Sequence, residues 1–484
     1  MLVKNDPDII KGFMEDSSGM QGGYAESVFF PENTGEVSSL LKEMNKKGIP
    51  VTVSGNGTGV TAGRIPFGGV VLSTEKLNRI IKTERLSEKS GIMSVQAGVT
   101  LRAIKNAAES EGLLYPPDPT EDTACIGGNI STNASGARGY RYGSTRRYVN
   151  RLKIVLADGK ILDISRNAIL AKGRTIDLSS ILDERFTIKL PAYKMPHIKN
   201  AAGYYIYDDM DAIDIFVGQE GTLGVITEAG LDLIQREEQI LTFFAFFGSD
   251  IDALNFVSSL RREGALSIEY FDDNSLRILR KRFLTVPKAR AAVFFEKEVA
   301  KKDENETIEK VSNLLKKCNA FYDKTWLAQS PYEYEKLREI RHGLPESINE
   351  IVKKNGFPKI GTDLAVPEKA FDKMLEYYKK GLAGSRIEHA VFGHIGECHL
   401  HANMLPSSKE EYRRAKKLYA KLADKAVRLG GTVSAEHGIG KLKHSYLEKM
   451  YGCKGIREMV ALKRELDPGR ILGIGNIFPK ELLA

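Results

Sequence analysis

Three of the eight histidines fall close together in the chain, at His394, His399 and His401. The alternation of histidine and leucine there predicts a strand that puts His399 and His401 on one face and the leucine between them on the other. A lone histidine is more often a hydrogen-bonded structural residue than a ligand. Three together, followed by Glu436 and His437 at a second glycine-rich strand end, favour metal binding or proton transfer.

Two loops made almost wholly of small residues lie upstream. The stretch 116–143 has glycines that let backbone approach a flat ligand, and short polar side chains that supply donors and acceptors. The loop 54–63 follows an apolar strand and can form a backbone nest for a pyrophosphate. It is not a Walker loop, because no Lys-Ser or Lys-Thr follows the glycines, and it is not a good dinucleotide fingerprint, because a strand-like run follows at 69–73 where a helix should begin. Each loop alone is also compatible with an ordinary surface loop, whereas the two in order favour a ligand site.

The elements that must position these residues alternate between strand and helix. Apolar periodicity predicts a helix over 35–47, with Asn33 or Thr34 as its cap. An Asp-Gly turn between apolar runs predicts a hairpin of 149–156 and 160–164. Further strands are predicted over 214–217 and 225–234, and further helices over 101–111, 251–263 and 305–318.

The length and composition of the chain limit the classes of protein to which it can belong. A chain of 484 residues is long enough for two or three domains with full cores. No apolar run approaches the roughly 20 residues of a membrane span, and the N-terminus lacks the apolar region of a secretion signal, so we expect a cytoplasmic chain. The four scattered cysteines argue against an iron–sulfur cluster. A dispersed net charge of +8 argues against nucleic-acid binding and leaves open docking to an acidic partner or an anionic membrane face.

The motifs resemble those of a known superfamily. The FAD-binding half of the vanillyl-alcohol-oxidase superfamily is similar to SGNGTGVTAG, YPPDPTEDTACIGGNISTNASGARGYRYGSTRRYV, LADGKIL and FVGQEGTLGVITEAGLDLI. Its branch of FAD-linked D-2-hydroxyacid dehydrogenases, which includes D-lactate, glycolate-oxidase and D-2-hydroxyglutarate enzymes, is similar to GHIGECHLHANMLP, SAEHGIGKLKHSYL and LKRELDPGRILGIGNIF. The resemblance runs from about Pro31 to the C-terminus, and the motif order is kept.

This resemblance implies an α+β fold. We expect a two-subdomain PCMH-type FAD-binding domain, an α+β cap domain that holds the substrate, and a C-terminal segment that returns to the FAD domain. The expected boundaries are an N-terminal arm at 1–25, the FAD-binding domain at 26–235, the cap at 236–433, and the C-terminal catalytic and return segment at 434–484.

The resemblance also implies FAD as the cofactor. Because the loop 54–63 contains no histidine or cysteine, a covalent flavin bond there is excluded and FAD is expected to bind non-covalently. The expected FAD-binding residues are Ser54, Gly55, Asn56, Gly57, Thr58, Gly59, Pro117, Asp118, Thr120, Gly127, Gly128, Asn129, Ser131, Thr132, Ala134, Gly136, Glu220, Gly221, Gly224, Val225, Ile226 and Asn476.

Carried over position by position, the family's metal ligands fall on His394, His401 and Glu436. Two imidazoles and a carboxylate suit a divalent metal such as zinc, manganese or iron, and leave positions open for substrate. His437 is then the expected base for the substrate hydroxyl proton. Arg341 matches the family's substrate arginine and offers a bidentate fork for a carboxylate, although an ordinary ion pair is the alternative.

Two positions depart from the family pattern. Glu397-Cys398-His399 stands where Asp-Gly-Asn is usual, so an extra imidazole enters the site as a ligand, a second base or a packed neighbour. Gly361, two residues before Asp363, replaces the family's substrate lysine. A dicarboxylate substrate is therefore not favoured.

The expected function is oxidation of a small D-2-hydroxy acid, such as D-lactate or glycolate, to the 2-oxo acid by hydride transfer to flavin. The electrons are expected to pass to a separate acceptor: an electron-transfer flavoprotein, an iron–sulfur subunit or quinone. The alternatives are an oxygen-using oxidase, an alkyl-transferring relative such as the ether-lipid synthase, or an FAD subunit without catalysis. Peripheral association with the inner membrane face and a homodimer are left open.

Overall fold

The computed structural model describes residues 1–182, 184–236 and 239–483 of the chain. It contains two compact units. The first unit comprises Met1–Gly136, Ser144–Arg236 and Val433–Ala484, and the second comprises Ala137–Gly143 and Glu237–Thr432. Among the helices of the described ranges, none combines the length and the apolar character needed to cross a membrane.

The first unit contains a four-stranded sheet that carries the first glycine loop. Its order is Leu2–Lys4, Ser27–Phe30, Val70–Ser73, Val51–Ser54, and the last two junctions are parallel. The helix Thr34–Lys47 buries Val37, Leu40, Leu41 and Met44 in the adjoining core. It begins one residue before the predicted start, and the Asn33 side chain caps it by accepting a hydrogen bond from the Glu36 N–H.

A second sheet of this unit is antiparallel. Its order is Ile80–Ser87, Ser90–Gln96, Val225–Gln235, Val149–Val155, Ile161–Ser165, with Leu113–Leu114 also paired to Val225–Gln235. The predicted hairpin and the predicted strand after the 218–224 turn are both confirmed. The helices here are Pro7–Lys11, Leu101–Ser110, Ser179–Leu182 and His444–Leu466, the last broken at Gly452, and a small hairpin pairs Thr175–Asp177 with Thr187–Lys189.

The C-terminal segment is part of the first unit. The Val51 N–H donates to the Ile471 carbonyl at 2.7 Å, and the Gly473 N–H donates to the Val51 carbonyl at 3.0 Å. Just before it, the buried Lys463 ammonium pairs with the buried Asp467 carboxylate and donates to the Thr222 carbonyl at 2.8 Å. This segment therefore extends the first sheet and is tied to the turn that precedes Val225–Gln235.

Two local predictions are wrong. The stretch 116–143 contains the helix Ile126–Thr132, because two isoleucines four residues apart, Ile126 and Ile130, bury on one side and Asn133 ends the helix in the left-handed conformation (φ 51°). The run predicted as a strand at 214–217 instead contributes to the 3₁₀ helix Ala212–Phe216, which the Asp211 side chain caps. In both places periodicity was too short to separate helix from strand.

The second unit is built on an eight-stranded sheet. Its order is Trp326–Ala328, Gln239–Phe247, Ala291–Val299, Ser267–Asp272, His389–Gly393, His399–Met404, Ile360–Gly361, with Leu364–Ala365 also paired to His399–Met404. Its helices are Gly139–Tyr142, Asp250–Glu263, Asp273–Arg282, Glu304–Lys317, Pro331–Asn355, Phe371–Ser385 and Lys409–Arg428. Phenylalanines such as Phe244, Phe246 and Phe271 fill the core on one side of the sheet. The predicted α+β class is confirmed.

Candidate active site

The first unit contains a cavity between its glycine-rich segments. The loop at 55–59, the helix Ile126–Thr132 and the turn at 219–224 all contribute to its wall. Of the residues predicted to bind FAD, those on the wall are Gly55, Asn56, Gly57, Thr58, Gly59, Gly127, Gly128, Asn129, Ser131, Thr132, Glu220, Gly221, Gly224 and Ile226. Those away from this wall are Ser54, Pro117, Asp118, Thr120, Ala134, Gly136, Val225 and Asn476.

The wall depends on glycine where segments approach closely. A Cβ on Gly127 would lie 2.8 Å from the Ala97 Cβ and 3.0 Å from the Ala97 carbonyl oxygen. The neighbouring Gly128 has more room, since its nearest atom would be the Cys125 Sγ at 3.5 Å. Gly127 is therefore needed for packing of the helix against the loop before it, whereas Gly128 is free of that demand.

Several residues of the cavity wall were not predicted from the sequence. Arg64 lies on the wall, donates to the Gly55 carbonyl at 3.1 Å, and has its guanidinium over the Phe13 ring at 5.2 Å. Asp16 of the N-terminal arm and Cys125 lie there too. An arginine directly after a glycine-rich nest was the signal that could have identified Arg64.

His437 lies on the wall of the same cavity. Its loop is shaped by the buried Glu220, whose carboxylate accepts hydrogen bonds from the Ile439 N–H at 2.8 Å and the Gly440 N–H at 2.7 Å. Burial raises the pKa of Glu220 to about 7, although those two hydrogen bonds oppose the shift. Asn476 donates to the Glu220 and Gly63 carbonyls, each at 2.9 Å, and so connects the turn at 219–224 with the first loop.

Glu436 precedes His437 in a bend, not at the predicted strand end. Successive bends replace extended backbone here because Gly438 and Gly440 take positive φ values, 77° and 52°. The Glu436 carboxylate is paired with the Lys199 ammonium at 2.5 Å, and it accepts from the Ser135 hydroxyl at 2.9 Å and the Gly136 N–H at 3.2 Å. Lys199 was not predicted, and nothing in its sequence context marked it.

The second unit brings the three clustered histidines together. His394 lies between the strand His389–Gly393 and the 3₁₀ helix Ile395–Glu397, and His399 and His401 lie at the start of the strand His399–Met404, as the alternation predicted. Their ring centroids are 4.5 to 5.6 Å apart, and one nitrogen from each ring lies within 4.8 Å of the others. The pairing of the two neighbouring antiparallel strands, with the short 3₁₀ turn between them, thus brings the three rings together.

Two of these imidazoles are oriented by outer partners. His401 Nδ1 lies 3.0 Å from the Thr362 carbonyl oxygen. Since a carbonyl can only accept, Nδ1 carries the proton and Nε2 keeps a lone pair. His394 Nδ1 lies 3.1 Å from Glu269 Oε1, and a carboxylate there favours the same tautomer.

Glu269 also forms an ion pair with Arg341. Two hydrogen bonds of 2.7 Å join the Arg341 Nε and Nη2 to the two carboxylate oxygens of Glu269. Burial raises the pKa of Glu269, but the Arg341 charge, its hydrogen bonds and His394 outweigh burial and hold that pKa well below its ordinary value. The predicted substrate arginine therefore lies in a buried ion pair with a residue that also contacts a clustered histidine. A carboxylate within the apolar strand Ser267–Asp272 was the signal for Glu269.

The donor set of the second unit fits a divalent metal. His394 and His401 are buried or half-buried imidazoles whose Nδ1 atoms face a carboxylate and a carbonyl. Proteins orient metal-binding histidines with outer partners of these two kinds. The arrangement can hold a borderline metal ion such as zinc, manganese or iron.

Comparison with known proteins defines the class. A family model described as FAD binding domain matches residues 25–165, and one described as FAD linked oxidases, C-terminal domain, matches residues 236–477. The chain belongs to this family of FAD-linked oxidases. It is an FAD-linked oxidoreductase, and the family, the FAD cofactor and the enzyme class predicted from the motifs are confirmed.

Particular relatives cover nearly the whole chain. The glycolate oxidase subunit GlcD of Bacillus subtilis is 31% identical over 94% of this chain and 89% of its own length. A D-lactate dehydrogenase of Archaeoglobus fulgidus is 30% identical over 94% of this chain and 91% of its own length. A solved alkyldihydroxyacetonephosphate synthase covers 97% of this chain and 82% of its own with a TM-score of 0.67 at 17% identity, and so shares the fold.

Proposed function

We propose that this protein oxidises a small D-2-hydroxy acid, such as D-lactate or glycolate, to the corresponding 2-oxo acid. Its similarity to a glycolate oxidase subunit and to D-lactate dehydrogenases supports the substrate class. The observation that carries the proposal is the pair His394 and His401, each with Nδ1 facing an outer acceptor. Such a pair suits a metal that binds the oxygens of a 2-hydroxy acid.

The cofactor would be held by the glycine-rich cavity of the first unit. The nest at 55–59 suits the pyrophosphate, and the small residues of 127–132 and 220–226 suit a flat ring. No cysteine or histidine lies in the loop 54–63, which supports non-covalent binding there. Bound FAD supplies the hydride acceptor.

The metal would be held by His394 and His401 of the second unit, and the family resemblance implies Glu436 as the carboxylate ligand. A bound divalent metal lowers the pKa of the substrate hydroxyl. Glu269 and the Thr362 carbonyl keep the two imidazoles in the tautomer that leaves Nε2 available.

His437 accepts the proton of the substrate hydroxyl as the hydride leaves C2, and a C=O bond forms between C2 and that oxygen. Its place on the cavity wall supports this role. Arg341 binds the substrate carboxylate through donors other than the two committed to Glu269.

The electrons then leave to a separate acceptor, such as an electron-transfer flavoprotein, an iron–sulfur subunit or quinone. The cysteines support a separate acceptor, since Cys125, Cys318, Cys398 and Cys453 are all free and are scattered along the chain. An in-chain cluster would need several of them together.

The test is the anaerobic flavin spectrum of the purified protein on adding D-lactate, L-lactate or glycolate, before and after a chelator. Bleaching by a D-acid or glycolate that the chelator abolishes and a divalent metal restores supports both parts of the proposal. Bleaching that persists after verified metal removal keeps the reaction but excludes the metal role. If none of these acids nor D-2-hydroxyglutarate bleaches the flavin, the proposed function is wrong.

A further inference from the structure

The third histidine of the cluster has no assigned role. We propose that His399 is a third imidazole ligand of the metal in the second unit. This inference rests on the metal role proposed above. The ligand set would then be His394, His399 and His401, instead of the two histidines that the family pattern implies.

The first observation is the polar isolation of His399. Its side chain is 0% exposed, and neither ring nitrogen has a hydrogen-bond partner among the residues that the structure describes. Nε2 lies 3.2 Å from the Asp363 carboxylate, but without the angle of a hydrogen bond. Buried polar groups in proteins are nearly always satisfied, and the Asp363 carboxylate stands beside Nε2 alone, so the buried Nδ1 calls for a ligand.

The second observation is position. A His399 nitrogen lies within 4.8 Å of nitrogens on both His394 and His401, and the His399 and His401 rings are 4.5 Å apart. A metal with nitrogen ligands at about 2.0–2.1 Å separates those nitrogens by no more than about twice that distance, so small side-chain shifts bring all three to one ion.

The surroundings of His399 fit the same role. The Asp363 carboxylate is itself buried and lies nearest to Nε2. A carboxylate in this place favours the proton on Nε2 and leaves the Nδ1 lone pair for a metal, as in carboxylate–histidine–metal sites. Asp363 would thus act on His399 as Glu269 acts on His394 and the Thr362 carbonyl acts on His401.

The two other roles for His399 fit less well. A packed neighbour would be expected to have a partner for both nitrogens, as His389 has, whereas the Nδ1 atom of His399 has none among the described residues. A second base must exchange a proton with substrate or solvent, whereas this ring has no exposed surface. Metal ligation requires neither exposure nor a hydrogen bond from both nitrogens.

A third imidazole changes what the metal can do. Three imidazole ligands would leave other positions of the ion open for the hydroxyl and carboxylate oxygens of one 2-hydroxy acid. Added nitrogen donors also shift preference from manganese towards iron, cobalt, nickel and zinc.

The test compares the full-length FAD-containing protein with His399→Asn, which restores the usual family residue, and with His399→Gln. The matched control is His389→Asn, because His389 lies in the same sheet with both nitrogens already partnered by Asn274 and the Ile387 carbonyl. Each protein is stripped with a chelator, reloaded with Cu²⁺ or Co²⁺, and checked for folding by its flavin absorbance and circular dichroism.

Pulsed EPR of the Cu²⁺ form should count three imidazoles in the wild type and the His389 variant, and two in both His399 variants. Co²⁺ affinity should fall by about tenfold or more in the His399 variants, in line with losses caused even by outer partners. Two imidazoles in the wild type, or an unchanged count and affinity in the variants, would overturn the inference. Bleaching of the wild-type flavin by a hydroxy acid is measured in parallel, so loss of the third ligand is distinguished from failure of the proposed function.

Discussion

The cavity of the first unit and the histidine cluster of the second are built from opposite materials. The cavity wall consists mostly of backbone and small side chains, and its shape depends on the absence of a Cβ at positions such as Gly127. The cluster consists of large imidazoles, each beside a carboxylate or carbonyl that orients it. An extended cofactor needs close approach along its length, whereas a metal needs a few atoms at fixed positions.

The contrast predicts opposite sensitivities. The cavity should tolerate loss of a side chain and be damaged by an added methyl group. The cluster should be damaged most by loss of an orienting partner. His437 is the exception, since it lies on the backbone-built wall but is proposed to act through its own side chain.

The largest effect is expected for His437→Asn. Loss of a general base should slow anaerobic flavin reduction by D-lactate or glycolate about 10²–10⁴-fold, while FAD stays bound. Stopped-flow absorbance measures the rate. The control is His197→Asn, which changes an exposed histidine of the same unit away from this wall and should leave the rate unchanged. Equal rates in wild type and His437→Asn would remove His437 from the mechanism.

The carboxylate Glu220 should make the first unit sensitive to pH. Its pKa is 4.5 in the unfolded chain and about 7 in the fold, so the folded state binds the proton more tightly. Stability is therefore fully present below about pH 4.5 and is lost as the pH rises to about 7, by roughly 3 kcal/mol at about 1.36 kcal/mol per pKa unit.

Glu220→Gln should remove this slope, because glutamine does not ionise. The measurement is the free energy of unfolding of the FAD-free protein in urea at intervals from pH 4.5 to pH 8. A variant whose slope equals that of the wild type would show that Glu220 does not titrate in this range.

In the second unit, Glu269→Gln removes the charge that orients His394 and pairs with Arg341. Metal affinity should fall about 10–100-fold, since outer partners of metal ligands have effects of that size. Competition with a coloured chelator measures the affinity.

Glu296→Gln is the matched control. Glu296 is another buried glutamate of the same sheet, and it pairs with Arg138 at 3.0 Å and accepts from the Ser267 hydroxyl. Its loss should lower stability without changing metal affinity. If both variants lose affinity equally, the effect is on the sheet as a whole and not on His394.

The smallest effect is expected for an added methyl group in the cavity wall. Gly127→Ala should destabilise the FAD-free protein by about 1–3 kcal/mol, because its Cβ meets Ala97 at 2.8 Å. Gly128→Ala, in the same helix, has space and should be neutral or stabilise by up to about 1 kcal/mol. Chemical denaturation measures both, and equal losses would show that the wall does not distinguish the two positions.

The affinity for FAD should also distinguish the two variants, because Gly128→Ala is expected to affect cofactor binding and Gly127→Ala is expected to affect folding. Gly128 is on the cavity wall without a packing demand, so Gly128→Ala should weaken FAD binding more than it affects folding. Fluorescence titration of the FAD-free protein gives the affinity. An unchanged affinity would move the flavin away from this part of the wall.

The class of protein, the order of its glycine loops and the grouping of histidines near a strand start could all be predicted from the sequence. Glycine-rich loops and an alternating His-Leu-His are patterns of residues that are adjacent in the chain, so they can be identified from the sequence. The helix Thr34–Lys47 and the strand Val225–Gln235 followed from periodicity for the same reason.

The outer partners of the predicted residues, in contrast, depend on contacts between distant parts of the chain. Glu269 is far from His394 in the chain, and its contact arises because neighbouring strands pair Tyr270 with Gly393. Glu220 likewise accepts hydrogen bonds from the backbone after His437, although the two segments are more than two hundred residues apart in the chain. Outer partners are specified by sheet register and burial, and neither quantity can be calculated from the spacing of the residues that they support.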